Sequence, residues 1–172
     1  MKSSLGTDII LFFSFLIAQI LLSNFTDFGP MIFISIYPLY LLTRPNNINP
    51  VISLISAFIM GLIIDYFTGD ILGINAAAAT MIAFVQPYLI SIVLRKSLHE
   101  WPIRPGMNEL GFSKFCFYVF IGILLHHTAI ILLENFSVHL DKYSLTRLFL
   151  SLALNLLLAI LIEFGIFYKN WR

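Results

Sequence analysis

Charged side chains are scarce in this sequence. Asp, Glu, Lys and Arg make up 11% of the 172 residues, whereas ordinary soluble domains carry about 25%. Ten basic and nine acidic side chains are too few to coat a soluble fold of this length with polar groups. The net charge of +1 gives no basic surface for a nucleic acid. We therefore expect a protein whose main solvent is lipid and which has no nucleic-acid partner.

Cysteine and the common catalytic motifs are also lacking. The single cysteine, Cys116, cannot form a disulfide within the chain, which excludes a secreted disulfide scaffold. Neither a G-x-S-x-G nor an H-E-x-x-H motif occurs, and there is no P-loop. The sequence therefore predicts no catalytic residues, no metal ligands and no cofactor, and it favours a protein that is not an enzyme.

Apolar residues are abundant instead. They make up 59% of the chain, aromatic residues make up 15%, and the mean hydropathy is +0.93. So many aromatic residues exclude a disordered chain. The apolar runs are continuous, as in residues 9–13, whereas the strands of a membrane barrel alternate apolar with polar residues. These patterns indicate a helical integral membrane protein.

Six apolar stretches approach the roughly 20 residues that a helix needs to cross a bilayer. We predict one all-α domain over residues 1–172, a polytopic membrane bundle of six transmembrane helices. The predicted spans lie near residues 7–26, 30–43, 48–67, 72–94, 115–134 and 146–168. Pro38 and Pro87 fall within the second and fourth spans, and each predicts a kink.

The basic residues predict the orientation. With six spans and the amino terminus inside, only Lys142 and Arg147 of the ten Lys and Arg residues lie outside. An excess of Lys and Arg marks the cytoplasmic side. Both termini are therefore predicted to be cytoplasmic. The connector from Arg95 to Lys114 is predicted to lie along the inner membrane surface.

The segment between the third and fourth spans has a regular pattern of small and acidic residues. Positions at intervals of four, which share one face of a helix, hold Gly61, Asp65, Gly69 and Gly73. Glycines on a helix face allow another backbone to approach closely, and Gly69 and Gly73 also suit an outside turn. Asp65 has two interpretations, a contact with a partner or ligand and a cap on the start of the fourth span.

Polar side chains within the fifth and sixth spans are further candidates. His126 and His127 are adjacent, so they point about 100° apart on a helix and are not expected to face one site. His127 and Glu134 share a stripe that suits metal binding or proton relay, whereas an interhelical hydrogen bond is the alternative for each histidine. Asn155 is expected to hydrogen-bond another helix.

Three more polar residues have structural interpretations. Gln19 in the first span and Gln86 in the fourth are expected to make hydrogen bonds between helices. Glu163 lies near the inner end of the sixth span, where Lys169 is close in sequence. We predict an interfacial ion pair between these two residues.

The pattern Gly61-x3-Asp65-x3-Gly69-x3-Gly73-x-Asn75-Ala76, in a chain of this size with six apolar spans, resembles the rod shape-determining protein MreD family. The resemblance implies a non-catalytic subunit of the cell-elongation machinery in the bacterial inner membrane. The implied partners are an MreC-like single-span periplasmic protein, an MreB-like cytoskeleton, wall-synthesising membrane enzymes and membrane lipid. Residues implied in packing or partner binding are Gly61, Asp65, Gly69, Gly73 and Asn75.

Two other functions remain open at this point. The MreD family is thought to share its helical arrangement with the substrate-binding subunits of energy-coupling-factor transporters, which implies a small-molecule-binding subunit as the alternative. The polar groups available to a vitamin-like ligand are Asn75, His126, His127 and Asn155. An intramembrane enzyme acting on lipid-linked substrates would use Asp65 or Asp70 as its acid or base.

Overall fold

The described part of the chain is almost entirely helical. A computed structural model describes residues 5–26, 29–45, 47–94, 104–137 and 140–168, and these contain no strand. The helices are α1 (Leu5–Phe25), α2 (Tyr37–Thr43), α3 (Pro50–Thr68), α4 (Ile74–Leu94), α5 (Met107–Leu110), α6 (Phe112–Asn135) and α7 (Lys142–Ile162), which a π-helical segment (Glu163–Tyr168) continues. The all-α prediction is confirmed.

Five of these helices are long and apolar enough to cross a membrane, namely α1, α3, α4, α6 and α7. They coincide with all the predicted spans except the second. Large apolar side chains such as Ile10, Ile17 and Leu21 lie exposed along their outer faces. Such faces suit acyl chains rather than water. This is the architecture of a multi-pass membrane protein.

The second predicted span is not one continuous helix. Only α2 is helical in this region, and residues 32–36 before it are not. Pro38 stands in the first turn of α2, where a missing N–H group costs nothing because first-turn N–H groups have no intrahelical acceptor. The kink predicted at Pro38 is therefore wrong, since the proline begins a helix rather than bending one. Pro87 does lie inside α4.

The segment between α1 and α3 returns along the length of α1. Where α1 and α3 end, the Asn24 side chain donates to the Phe67 carbonyl at 3.2 Å. Where they begin, Arg44 donates to the Asp8 carboxylate at 2.6 and 3.1 Å and to the Ser56 hydroxyl at 2.5 Å. The two helices therefore lie parallel, and the intervening chain runs antiparallel to them.

Residues 33–35 are extended, and side chains from α1 and α7 satisfy the backbone of residues 33–36. Phe33 N–H donates to the Ser151 hydroxyl of α7 at 2.9 Å. On the α1 side, Gln19 accepts from Ile36 N–H at 2.7 Å and donates to the Ile34 carbonyl at 3.0 Å. Odd and even residues thus face opposite neighbours, as in a β-strand. Inside a membrane such a backbone is tolerated only where protein groups satisfy it.

Replacing Gln19 tests how strongly α1 stabilises this extended segment. We expect Gln19→Leu to lower the free energy of unfolding by about 2 kcal/mol, because it leaves the Ile34 carbonyl and the Ile36 N–H buried without partners. The measurement is reversible unfolding in mixed micelles with increasing SDS, followed by circular dichroism. Asn24→Leu is the control, since the Asn24 amide bonds at the exposed helix end. Equal losses in both variants would contradict this interpretation.

Short helix α2 is enclosed by its neighbours. All seven of its residues are buried. Its final carbonyl groups, which have no partners within the helix, accept bonds from other helices. The Tyr118 hydroxyl donates to the Leu42 carbonyl at 2.7 Å, and the Gln86 amide donates to the Arg44 carbonyl at 2.9 Å. The hydrogen bonds between segments predicted for Gln86 are therefore present.

An ion pair connects the segment just before α5 to the end of α7. Arg104 donates to both carboxylate oxygens of Glu163 at 2.8 and 2.9 Å. The Met107 backbone N–H donates to the same carboxylate at 3.0 Å. Glu163 is thus paired with Arg104, whereas its predicted partner Lys169 lies outside the described residues. Residues 95–103 of the predicted surface connector also lie outside them.

Candidate functional site

The carboxylate of Asp65 caps the start of a neighbouring helix. Asp65 is in the last turn of α3 and has no exposed surface. It accepts backbone N–H groups of Gly73 and Asn75 at 2.9 Å and of Ala76 at 3.2 Å, together with the Asn75 side-chain amide at 2.9 Å. A carboxylate there satisfies donors that have no acceptor within α4, and it complements the helix dipole. The geometry therefore supports the helix-cap interpretation of Asp65 rather than a contact with a partner or ligand.

The three glycines of this segment have different structural roles. A Cβ at Gly61 would come within 2.5 Å of the Ala76 Cα and N atoms and the Asn75 carbonyl, so α4 of the same chain occupies that face. The close backbone packing expected of Gly61 is therefore present, and the backbone that approaches it belongs to the same chain rather than to a partner. Gly69 and Gly73 adopt φ angles of 75° and 102° in the turn, a conformation that favours glycine, and a Cβ on either would meet open space.

Asn75 connects this cap to the histidine pair. Its Oδ1 accepts the Tyr37 hydroxyl at 3.0 Å, and that hydroxyl lies 2.6 Å from His126 Nε2. His126 Nδ1 lies 3.1 Å from His127 Nδ1. The expectation that adjacent histidines cannot share a site is therefore wrong. Ring rotation about the side-chain bonds brings the two Nδ1 atoms together although the Cβ atoms diverge.

Asn155 of α7 continues the hydrogen bonds on the other side of the pair. Its Nδ2 lies 2.9 Å from His127 Nε2. Its Oδ1 accepts the Ser35 backbone N–H at 2.7 Å, and its Nδ2 donates to the Phe33 carbonyl at 2.6 Å. Asn155 therefore links α6 to the extended segment. We refer to the buried series Asp65, Asn75, Tyr37, His126, His127 and Asn155 as the polar chain.

The hydrogen bonds of the polar chain run in one direction. An amide nitrogen donates and does not accept, so His127 Nε2, which faces Asn155 Nδ2, carries no proton. The proton of His127 is then on Nδ1 and points at His126 Nδ1. His126 is consequently protonated on Nε2, where it donates to Tyr37, and Tyr37 donates to Asn75. Both histidines are neutral in this arrangement.

This arrangement does not suit the proton relay or the metal site considered for the histidines. Side-chain amides at Asn75 and Asn155 flank the pair, and an amide does not readily take up and release a proton. Glu134 pairs with Arg147 of α7 rather than with His127. Among the described residues, no three His, Cys, Asp or Glu side chains come together as a set that could hold a metal ion.

A small cavity lies beside His127. Its volume is about 10 Å³, and its lining consists of Phe33, His127, Ile130, Ile131, Arg147 and Ser151. That volume suits one water molecule, whereas small-molecule pockets measure roughly 300 Å³ or more. The four residues suggested for a vitamin-like ligand do come together, but they hydrogen-bond one another, and His127 alone among them lines this cavity.

Two members of the site were not singled out from the sequence. Ser151 precedes Asn155 by four residues, a spacing that places both on one helix face and could have revealed it. Tyr37 has no such signal, because it is separated by 89 residues from His126 and by 38 from Asn75.

Comparison with known proteins gives no relative. No family model matches the chain, and no curated protein or solved structure matches it. A functional proposal for this chain therefore depends on its own residues and their geometry.

Replacing Tyr37 tests the middle of the polar chain. We expect Tyr37→Phe to lower the free energy of unfolding by about 2 kcal/mol, because Asn75 Oδ1 and His126 Nε2 lose their common partner in a buried site. Tyr88→Phe is the matched control, since the Tyr88 ring is 56% exposed, and its effect should stay within about 0.5 kcal/mol. Unfolding in mixed micelles measures both. Indistinguishable values would show that the Tyr37 hydroxyl contributes nothing to stability.

Proposed function

We propose that this protein is a non-catalytic membrane subunit of a bacterial cell-elongation complex. In this role it docks an MreC-like single-span partner and supports cell shape and lateral peptidoglycan synthesis. An MreB-like cytoskeleton and wall-synthesising membrane enzymes are its wider partners. The sequence resemblance in residues 61–76 suggests the role. The structural observation that supports it is that the candidate carboxylate, imidazole and amide groups bond to one another within the bundle.

The proposal includes six membrane crossings with both termini on the cytoplasmic side. Twelve residues, 32–43, would span only about 18 Å as a helix, which is short of the roughly 30 Å hydrocarbon core. Four extended residues, 32–35, cover about 13 Å, and Ile36 together with α2 adds about 12 Å. The combined length is closer to the core thickness than a helix would be, and with the antiparallel course of this segment along α1 it supports a sixth crossing by residues 32–43.

The turn between α3 and α4 is the surface that we assign to the partner. Ile71 and Leu72 lie beyond the end of α3 and are 56% and 63% exposed. Tyr66 and Phe67, in the last turn of α3, are 72% and 55% exposed. A cluster of exposed apolar side chains at a helix end, next to the exposed Asp70, is typical of an interaction surface.

Co-purification tests the proposed function. A tagged protein should recover the MreC-like protein encoded in the same genome, and the double variant Ile71→Ser, Leu72→Ser should recover at least about tenfold less, which corresponds to a loss of about 1.4 kcal/mol of binding. Leu145→Ser is the control, because Leu145 is another exposed apolar residue on the same predicted side of the membrane. Wild-type protein that recovers no such partner would contradict the proposal.

Cell shape provides a second test. In bacteria depleted of their own MreD, the wild-type protein together with its MreC-like partner should restore rod-shaped cells, and the double turn variant should leave them round. A change in thermal stability on adding vitamins to the purified protein would instead favour the small-molecule alternative. The enzyme alternative loses one of its two candidate residues, because Asp65 is buried beneath the N-terminus of α4, whereas Asp70 is exposed.

A further inference from the structure

Two exposed phenylalanines stand at opposite ends of α6. Phe112 is the first residue of the helix and Phe136 directly follows its last residue, and both rings are exposed. The helix rise places their Cα atoms about 36 Å apart. This distance exceeds the hydrocarbon core of about 30 Å but is less than the roughly 40–45 Å of the whole bilayer. With α6 crossing the membrane, both rings therefore lie at the level of the lipid headgroups.

Helix α7 repeats this pattern. Its second residue, Tyr143, and the residue just past the π-helical start, Phe164, are both exposed and lie about 32 Å apart along the helix. The Phe164 ring contacts the Phe112 ring, with centroids 6.3 Å apart. An exposed lysine accompanies a ring at each end of the bundle, namely Lys114 near Phe112 and Lys142 next to Tyr143. A lysine ammonium group has to reach headgroups or water, which agrees with the depth of the rings.

Phe136 has an unusual backbone conformation. It is the only non-glycine residue with a positive φ, 48°, in the described part of the chain. This position after a helix usually holds glycine or asparagine, because a Cβ disfavours the left-handed conformation. The Phe136 ring is 84% exposed, so packing within the bundle does not compensate. An apolar environment outside the chain would supply that compensation.

We propose that the exposed rings at both ends of α6 and α7 bind the headgroup boundaries of the bilayer and hold the bundle at a fixed depth. We call these residues the anchor rings, and they are Phe112, Phe136, Tyr143 and Phe164. Aromatic side chains favour this boundary, where one part of the ring is apolar and another is near polar groups. The occupant is phospholipid rather than protein, because the rings on each helix are separated by one bilayer thickness, and a protein partner would impose no such spacing.

The anchor rings are distinct from the surface assigned to the partner. In the last turn of α3, Tyr66 and Phe67 are exposed, but at the start of α3 the exposed apolar residues Val51 and Ile52 are aliphatic. Rings at both ends are thus a property of α6 and α7. The inference is independent of the proposed function, since these two helices would have the same depth in a bilayer whatever the protein binds.

Quenching of tryptophan fluorescence by brominated phosphatidylcholine tests the depth. The two tryptophans of the chain are first removed by Trp101→Phe and Trp171→Phe, and one tryptophan is then introduced in vesicles of this lipid. We expect Phe112→Trp and Phe136→Trp to be quenched at least about twofold more by lipid brominated near the headgroup than near the chain end. Ala153→Trp is the control and should show the opposite order, because Ala153 is exposed near the middle of α7.

Two results of the quenching experiment would overturn the proposal. A tryptophan at Phe136 that neither lipid quenches would face water or a protein partner. A tryptophan there that follows the same order as Ala153→Trp would lie within the hydrocarbon core rather than at its boundary.

A double variant, Phe112→Asn with Phe136→Asn, tests whether the rings hold the depth. Asparagine tolerates the left-handed conformation, so backbone strain does not cause its effect. The melting temperature of the wild type should be highest in vesicles with a hydrocarbon core of about 30 Å, and its spread between thin and thick vesicles should shrink at least about twofold in the double variant. Phe117→Asn is the control, because Phe117 is exposed away from the ends of α6. A double variant that matches this control would refute the anchor role.

Discussion

Asp65→Ala should lower the free energy of unfolding by about 3–5 kcal/mol. The substitution removes an acceptor for four donors, three of which are backbone N–H groups at the start of α4. Loss of a helix cap alone costs about 1 kcal/mol at an exposed helix end, where water can replace the lost acceptor. At Asp65 the surrounding protein excludes water, so each buried donor without a partner adds about 1–3 kcal/mol. The burial therefore decides the size of the effect.

Asp70→Ala is the matched control for this measurement. Asp70 is in the same turn, but it is exposed, and its carboxylate accepts the Thr68 hydroxyl at 2.6 Å. Its removal should change stability by no more than about 0.5 kcal/mol. Unfolding of both variants in mixed micelles with increasing SDS gives the comparison. Similar losses at the two positions would mean that the Asp65 carboxylate is not an effective cap.

Asp65→Asn refines the same test. The asparagine would keep one acceptor oxygen, but it would place an NH₂ group opposite the remaining donors, and donors do not bond to donors. We expect this variant to be closer to Asp65→Ala than to wild type. Hydrogen exchange at the Asn75 and Ala76 amides should accelerate in both variants, because these N–H groups lose their acceptor.

Gly61→Leu should lower the free energy of unfolding by more than about 3 kcal/mol. Any Cβ at this position lies within 2.5 Å of the backbone of Asn75 and Ala76, so α3 and α4 have to move apart. Overpacking a well-packed contact typically costs 1–3 kcal/mol. Here it also separates Asp65, one helical turn later, from the donors that it caps. The gain of about 1 kcal/mol in helix propensity on replacing glycine is too small to compensate.

Gly165→Leu provides the control for this prediction. Gly165 lies in the π-helical segment after α7, where a Cβ would meet no atom within 4 Å. We expect its unfolding free energy to stay within about 0.5 kcal/mol of wild type. If Gly61→Leu were equally neutral, the close contact between α3 and α4 would not exist in the folded protein. Loss of partner binding in Gly61→Leu alone would not locate the docking surface, because the bundle itself is disturbed.

The helical membrane architecture was predictable from the sequence because lipid leaves few choices. A bilayer offers no hydrogen-bond partners, so a spanning backbone has to satisfy itself, and long continuous apolar runs then indicate helices. Five of the six runs became helices of suitable length. The cap at Asp65 was also foreseeable as one of two alternatives, since a carboxylate and glycines in one short segment are typical of a turn between helices.

The conformation of the second predicted span could not be foreseen in this way. Hydropathy measures how apolar a segment is and does not distinguish a helix from an extended chain. The extended conformation of residues 33–35 depends on Gln19, Ser151 and Asn155, two of which are more than a hundred residues away along the chain. Packing against these side chains makes an otherwise prohibitive conformation acceptable.

The sequence by itself determined the class of this protein, an apolar helical bundle with few polar side chains inside it. Only the tertiary structure decided how those polar side chains pair. Helical spacing points the His126 and His127 side chains in diverging directions. The rotation of their rings and the positions of Tyr37 and Asn155 nevertheless bring them into one series of hydrogen bonds. A hydrogen bond between helices forms or fails with differences of tenths of an ångström in the donor–acceptor distance. Those distances cannot be read from the order of residues along the chain.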